Sequence, residues 1–134
     1  MATTTITIPQ RYSDLDLNFT VHPVKKDINK FTGEMAVIHA LKNLIMTNHY
    51  ESPFHPEIGG NVRALLFENM DTITASALQT EITRTIENFE PRVKILNVSV
   101  KPDYDNNAFG VTLSFNVINR TEPVTIRFLL ERIR

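Results

Sequence analysis

The sequence predicts an α+β protein: two main helices and a short helical turn packed on a small three-stranded antiparallel sheet, behind an extended N-terminal segment. Three observations predict it. Apolar residues recur at helical spacing twice, at Val37, Ile38, Leu41, Leu44 and Ile45 and again at Ala75, Leu78, Ile82, Ile86 and Phe89. After Pro91 the period changes to two, in three successive runs. Helices followed by strands, rather than alternating with them, segregate into an α+β architecture.

The elements follow in order. Residues 1–24 read as an extended arm. Thr3 to Ile8 is β-prone and stopped by Pro9, and Leu15, Leu17, Phe19 and Val21 then alternate with polar residues, as in a strand or a segment laid along a surface. Pro9 and Pro23 argue against a central strand. The first helix is predicted from Thr32 to Thr47, with Thr32 as N-cap and Glu34 in the first turn, where the helix dipole favours a carboxylate. Residues 50–61 hold two prolines and two glycines and form a constrained loop. A short helical turn, Val62 to Glu68, leads to the second long helix, capped by Asp71 or Thr72 and closed after Phe89 by Pro91.

The rest is a meander over 93–131. Leu96, Val98 and Val100 form the first run, with Val93 and Ile95 out of phase, so that strand starts late or carries a bulge. Phe109, Val111, Leu113, Phe115 and Val117 form the second, and Val124, Ile126, Phe128 and Leu130 the third. Turn residues separate them at 102–107 and 119–123. A meander ending at the terminus leaves edges that invite pairing with another chain.

One domain over 1–134 fits this length, with an arm at 1–24, a helical part at 32–89 and the meander at 93–131. Lys+Arg number 14 against 15 Asp+Glu, and the halves divided at Phe67 carry 6 against 6 and 8 against 9. No basic stripe exists to drive nucleic-acid binding. No apolar run approaches the roughly 18 residues that span a bilayer, and the start has no signal-peptide pattern. Absence of cysteine excludes a disulfide scaffold, a thiol nucleophile and sulfur-ligated zinc, and points to folding in a cytosol.

Candidate chemistry is sparse. Glu57, Glu68, Asp71 and Glu90 offer carboxylates for a glycosidase pair, but fifteen acids in a chain of this size always offer pairs, and no tryptophan is present to stack a sugar. His22, His39, His49 and His55 show no metal-ligand spacing, and Gly59-Gly60 is not followed by the Lys-Ser/Thr of a phosphate loop. Two features remain. Phe54-His55-Pro56-Glu57-Ile58-Gly59-Gly60 followed by Leu65-Leu66-Phe67-Glu68 joins a rigid loop, an apolar turn and two acids. Glu90-Pro91-Arg92 sets opposite charges either side of a proline: a local ion pair at a helix stop, or a guanidinium poised for a bidentate contact with a partner.

These blocks, in this order and spacing, resemble the baseplate wedge subunit of contractile-tailed phages, the sheath-initiator family shared with type VI secretion baseplates. Its pattern reads approximately R-P-F-x-P-E-F-G, L-L-F-E and W/Y-E-P-R-I. Here it is carried by Pro53 to Gly59, by Leu65 to Glu68 and by Phe89-Glu90-Pro91-Arg92-Val93. Tyr12 to Leu17 and the three-strand ending also match, so the resemblance covers nearly the whole chain; Leu66-Phe67-Glu68-Asn69-Met70 is similar to the T-even-like branch. Ser52, Ile58 and Phe89 depart from the pattern, which touches packing detail.

The resemblance implies a structural role in a virion's tail baseplate, assembled in the host cytoplasm, with no catalytic residue, cofactor or metal. Its partners would be the core bundle of larger wedge proteins, the tail sheath protein and the tail tube, with no nucleic acid or membrane among them. Glu90, Pro91 and Arg92 would anchor the wedge partner, with Glu68, Phe54, Pro56 and Glu57 supporting that surface. The last two strands would offer exchange edges to sheath or neighbouring wedge chains, through Val111, Leu113 and Phe115 and through Val124, Ile126, Phe128 and Leu130. The family also carries a lysozyme label, so a cell-wall-degrading glycoside hydrolase is the rival reading; a host-derived interaction domain is a third.

Overall fold

The computed structural model describes residues 12–118 and 120–132. The β-prone stretch from Thr3 to Ile8 lies outside the described residues. Two short strands come first, β1 (Ser13–Leu15) and β2 (Lys30–Thr32), paired antiparallel with Ser13 opposite Thr32. This small sheet corrects two expectations. Thr32 does not cap the first helix, because its backbone is in the ladder. Helix α1 (Glu34–Met46) starts after Gly33, whose φ of 64° turns the chain from strand into helix without any side-chain cap. The alternation from Leu15 to Val21 is not a strand face either, since Leu15, Leu17, Phe19 and Val21 are all more than half exposed. Asp16 breaks the run: its buried carboxylate accepts from the Asn18 amide and the Thr20 hydroxyl and bends the chain.

Helix α2 (Val62–Leu65) is the predicted turn, and α3 (Thr72–Phe89) is the second long helix at its predicted bounds. Asp71 caps α3, accepting from the Thr74 amide at 2.7 Å. That bond holds the Asp71 carboxyl below its ordinary value of 3.8. A depressed folded-state value means the cap's contribution is complete above the unfolded value and is lost as pH falls through the folded one. The urea midpoint should therefore drop below about pH 4, and Asp71→Asn, which still caps but does not titrate, should drop less.

The meander comprises β3 (Val93–Asp103), β4 (Ala108–Val117) and β5 (Val124–Glu131) in the order β3-β4-β5, all antiparallel. Of the two readings for the first strand, the bulge is correct: the register shifts between Ile95 and Asn97, leaving Leu96 half exposed. The core is one layer of helix on one face of sheet. Val37, Leu41 and Ile45 meet Leu78, Ile82 and Ile86, and these meet Phe109, Val111, Leu113 and Phe115, all of them at most 1% exposed. Helix α3 lies over β3, so the helix-facing side of β5 is only partly covered: Val124, Ile126 and Phe128 are half-buried and Leu130 is buried.

Candidate functional site

The Glu-Pro-Arg corner joins α3 to β3. The Glu90 amide completes the last helical turn by donating to Ile86 O at 2.9 Å, and Pro91 ends the helix. Two residues on, Ile118 N donates to Arg92 O at 2.8 Å and opens the sheet ladder. Pinned on both sides, the corner turns Glu90 and Arg92 toward each other. Arg92 Nε donates to Glu90 Oε1 at 2.6 Å and Nη2 to Oε2 at 2.7 Å, a bidentate fork. Glu90 is 6% exposed. Arg92 keeps about a third of its side chain in solvent (31%), with its guanidinium 5.2 Å from the centroid of the Tyr12 ring. The Glu90 hydrogen bonds push the Arg92 guanidinium up, outweighing its burial. Of the two sequence readings the local ion pair is the one seen: the fork that a partner carboxylate would use is closed on Glu90. Among the described residues Arg92 Nη1 has no hydrogen-bond partner, and its two N–H groups are open to an outside acceptor.

The 50–61 loop is tight at its base and open at its apex. Tyr50 N donates to Pro56 O at 2.9 Å and Gly60 N to Thr47 O at 3.1 Å, tying the loop to the end of α1. The Asn61 amide donates to Glu81 Oε1 at 2.9 Å, tying it to α3. Gly59 has φ 110°, and a Cβ there would lie 2.5 Å from Thr47 O. A Cβ on Gly60 would lie 2.4 Å from Thr85 Oγ1. Phe54, at 90% exposure, stands at the apex with His55, Pro56 and Glu57, all exposed. Glu57 is hydrogen-bonded to His55 Nδ1 at 3.2 Å. Its carboxyl is held below the ordinary value, first by its own backbone amide. A glycosidase acid requires a shift in the opposite direction.

Two predicted placements need correction. Glu68 does not support the Glu90–Arg92 surface. Its carbonyl accepts from Arg132 Nε at 3.0 Å, beside the β3–β4 hairpin, whereas Arg92 lies at the other end of β3. Helix α3, 18 residues and about 27 Å long, separates them. Likewise β4 is not an edge. It pairs on both sides, and Val111, Leu113 and Phe115 are buried in the core, because the middle strand of a meander is enclosed by its two hairpins. The edges are β3 and β5. Strand β3 is blunted by its bulge and by Pro102, which has no N–H, while β5 has neither device along Val124–Glu131.

Glu81 holds the loop to α3 and Thr85 lies against Gly60, and neither was singled out in the sequence. An acid such as Glu81 within an amphipathic helix is ordinarily read as solvated surface, and only the loop's return to α3 gives it a role. Among the described residues no three His, Asp or Glu side chains converge to hold a metal, and no helix is long and apolar enough to cross a membrane.

The family model described as baseplate wedge protein gp25 matches residues 32–122, about two thirds of the chain. The baseplate wedge protein gp25 of Enterobacteria phage T4 is 32% identical over 117 residues, spanning 87% of this chain and 88% of that protein. Among solved structures, the anti-feeding prophage baseplate contains a chain similar at TM-score 0.62 and 18% identity, covering 92% of this chain and 88% of that one. A Geobacter sulfurreducens protein with the provisional name of tail lysozyme is similar at TM-score 0.62 and 19% identity, covering 73% and 91%. At such identities the two structures speak to the fold alone.

Proposed function

This chain belongs to the baseplate wedge protein gp25 family, and from that premise we propose that it binds the core bundle of the larger wedge proteins and initiates sheath assembly by accepting a strand at β5. The supporting observation is the β5 edge, unblunted over Val124–Glu131, with Val124, Ile126 and Phe128 half-covered beneath it. An incoming strand would find a free row of backbone groups and apolar side chains to cover. The role is non-enzymatic: Glu57 is paired to His55 with its carboxyl lowered, opposite to the shift a glycosidase acid needs.

Size-exclusion chromatography with light scattering, on the chain mixed with wedge and sheath proteins, tests the reading. A stoichiometric complex with each is expected. Absence of both complexes, together with clearing of a peptidoglycan suspension that Glu57→Gln or Glu68→Gln abolishes, would replace it with the hydrolase reading. Proline scanning locates the edge. Backbone N–H groups along an edge strand alternate between the paired and the open side. One of Thr125→Pro and Ile126→Pro therefore breaks a β4 bond and destabilises the sheet, and the other removes an outward donor. The latter variant should fold, bind wedge proteins as before and lose sheath binding by at least about tenfold.

A further inference from the structure

We propose that the face of the sheet opposite the helices is a second docking surface, which takes an acidic extended segment of another polypeptide across Gly110. It goes beyond the wedge and sheath contacts above and uses neither Arg92 nor the β5 edge.

Among the described residues the helices cover one side of the sheet only. On the other, cross-strand register sets Lys101, Gly110 and Leu129 in one row and Ser99, Thr112 and Arg127 in the next. The rows form a shallow groove of about 420 Å³, open to solvent along its length. Its shape suits a polypeptide laid across it better than a small ligand, which requires enclosure. Gly110 makes the notch, and among the described residues nothing demands glycine there. A Cβ would meet Lys101 O at 3.8 Å and Leu129 Cδ2 at 4.0 Å, ordinary contact distances, and the residue is not in the left-handed region. A glycine that costs strand stability without serving the fold marks a place where another backbone comes close.

Charge identifies the occupant. Lys101 and Arg127 flank the notch, both exposed, and among the described residues neither forms a salt bridge. Asp103, the acid at the groove, is occupied by the Asn106 side chain at 2.8 Å and by the amides of Asp105 and Asn106. Alternation places Lys94 at the far end of the same face, while Glu131, opposite Ala108, lies in the row next to Gly110 and leaves Lys101 and Arg127 on the other sides of the notch. Two unpaired cations beside a notch favour a segment bearing carboxylates.

The chain has no cysteine, so Thr112→Cys and, separately, Ile126→Cys each introduce a single thiol for N-ethylmaleimide. In the complex with wedge and sheath proteins, Thr112→Cys should react at least about tenfold more slowly than in the free chain. Lys101→Glu with Arg127→Glu should weaken association by about ten- to a hundredfold, and added salt should weaken the wild type. Lys101→Gln with Arg127→Gln serves if the reversal unfolds the chain. Gly110→Ala should raise Tm by about 2–5 °C while weakening association. Unchanged reactivity of Thr112→Cys beside a protected Ile126→Cys overturns the inference and leaves the assembly reading standing. Protection of Thr112→Cys with no effect of charge reversal refutes an acidic occupant. If no complex forms at all, the assembly reading fails and this inference with it.

Discussion

Arg92→Ala is expected to abolish association with the wedge proteins and also to lower the stability of the isolated chain by about 1–3 kcal/mol. Read from sequence, the same substitution should leave the fold intact. The structure changes that expectation because Glu90 is 6% exposed and Arg92 supplies both of its side-chain donors. Removing the guanidinium leaves a buried carboxylate with no counter-charge. The cost is less than for a fully enclosed pair, since about a third of Arg92 is in solvent and water can reach the gap. Arg92→Lys separates the two effects. It keeps the charge but not the fork, so it should recover most of the stability and little of the binding if Nη1 and the guanidinium plane are what the partner reads. Urea melts beside light scattering on the same samples give both numbers. Full binding by a destabilised Arg92→Ala would reduce the corner to a helix stop.

Gly59→Ala is expected to cost about 2–4 kcal/mol, from a backbone clash added to the strain of an alanine in a glycine conformation. At φ 110° the added Cβ lies 2.5 Å from Thr47 O and 3.0 Å from the Asn48 carbonyl carbon and oxygen. None of these is a flexible side-chain end, so the loop must move. Its movement breaks the Gly60–Thr47 bond, and the Asn61–Glu81 bond to α3 follows. The exposed apex with Phe54, Pro56 and Glu57 would then lose its fixed position. Denaturant midpoints report the stability, and proteolysis within 50–61 reports the loop. A midpoint within about 0.5 kcal/mol of wild type would show that the base of the loop yields easily.

The parts legible in advance share one property: neighbours along the chain decide them. The Asp71 cap, the stop at Pro91, the α3 apolar stripe and the three alternating runs are all interactions within a few residues. Even the bulge showed as a phase slip, read between Ile95 and Leu96, although Leu96 was counted in the inward run and is the bulged residue. The same locality made the Glu-Pro-Arg corner visible as a motif and offered the local ion pair beside the partner contact, and the structure selects the local pair.

The remaining features depend on residues distant in sequence. Thr32 looks like a cap until β1 claims its backbone. Val111, Leu113 and Phe115 alternate as an edge strand would, and only closure of both hairpins encloses them. Glu68 and Glu90 lie near each other in the sequence pattern, yet an intervening 18-residue helix carries them to opposite ends of the sheet. Periodicity is set by the local backbone, so the long helices, the meander strands and the motif were determined by sequence. Strand order, edge exposure and the burial of Glu90 are set by which distant surfaces exclude water from one another, and tertiary packing alone decided those.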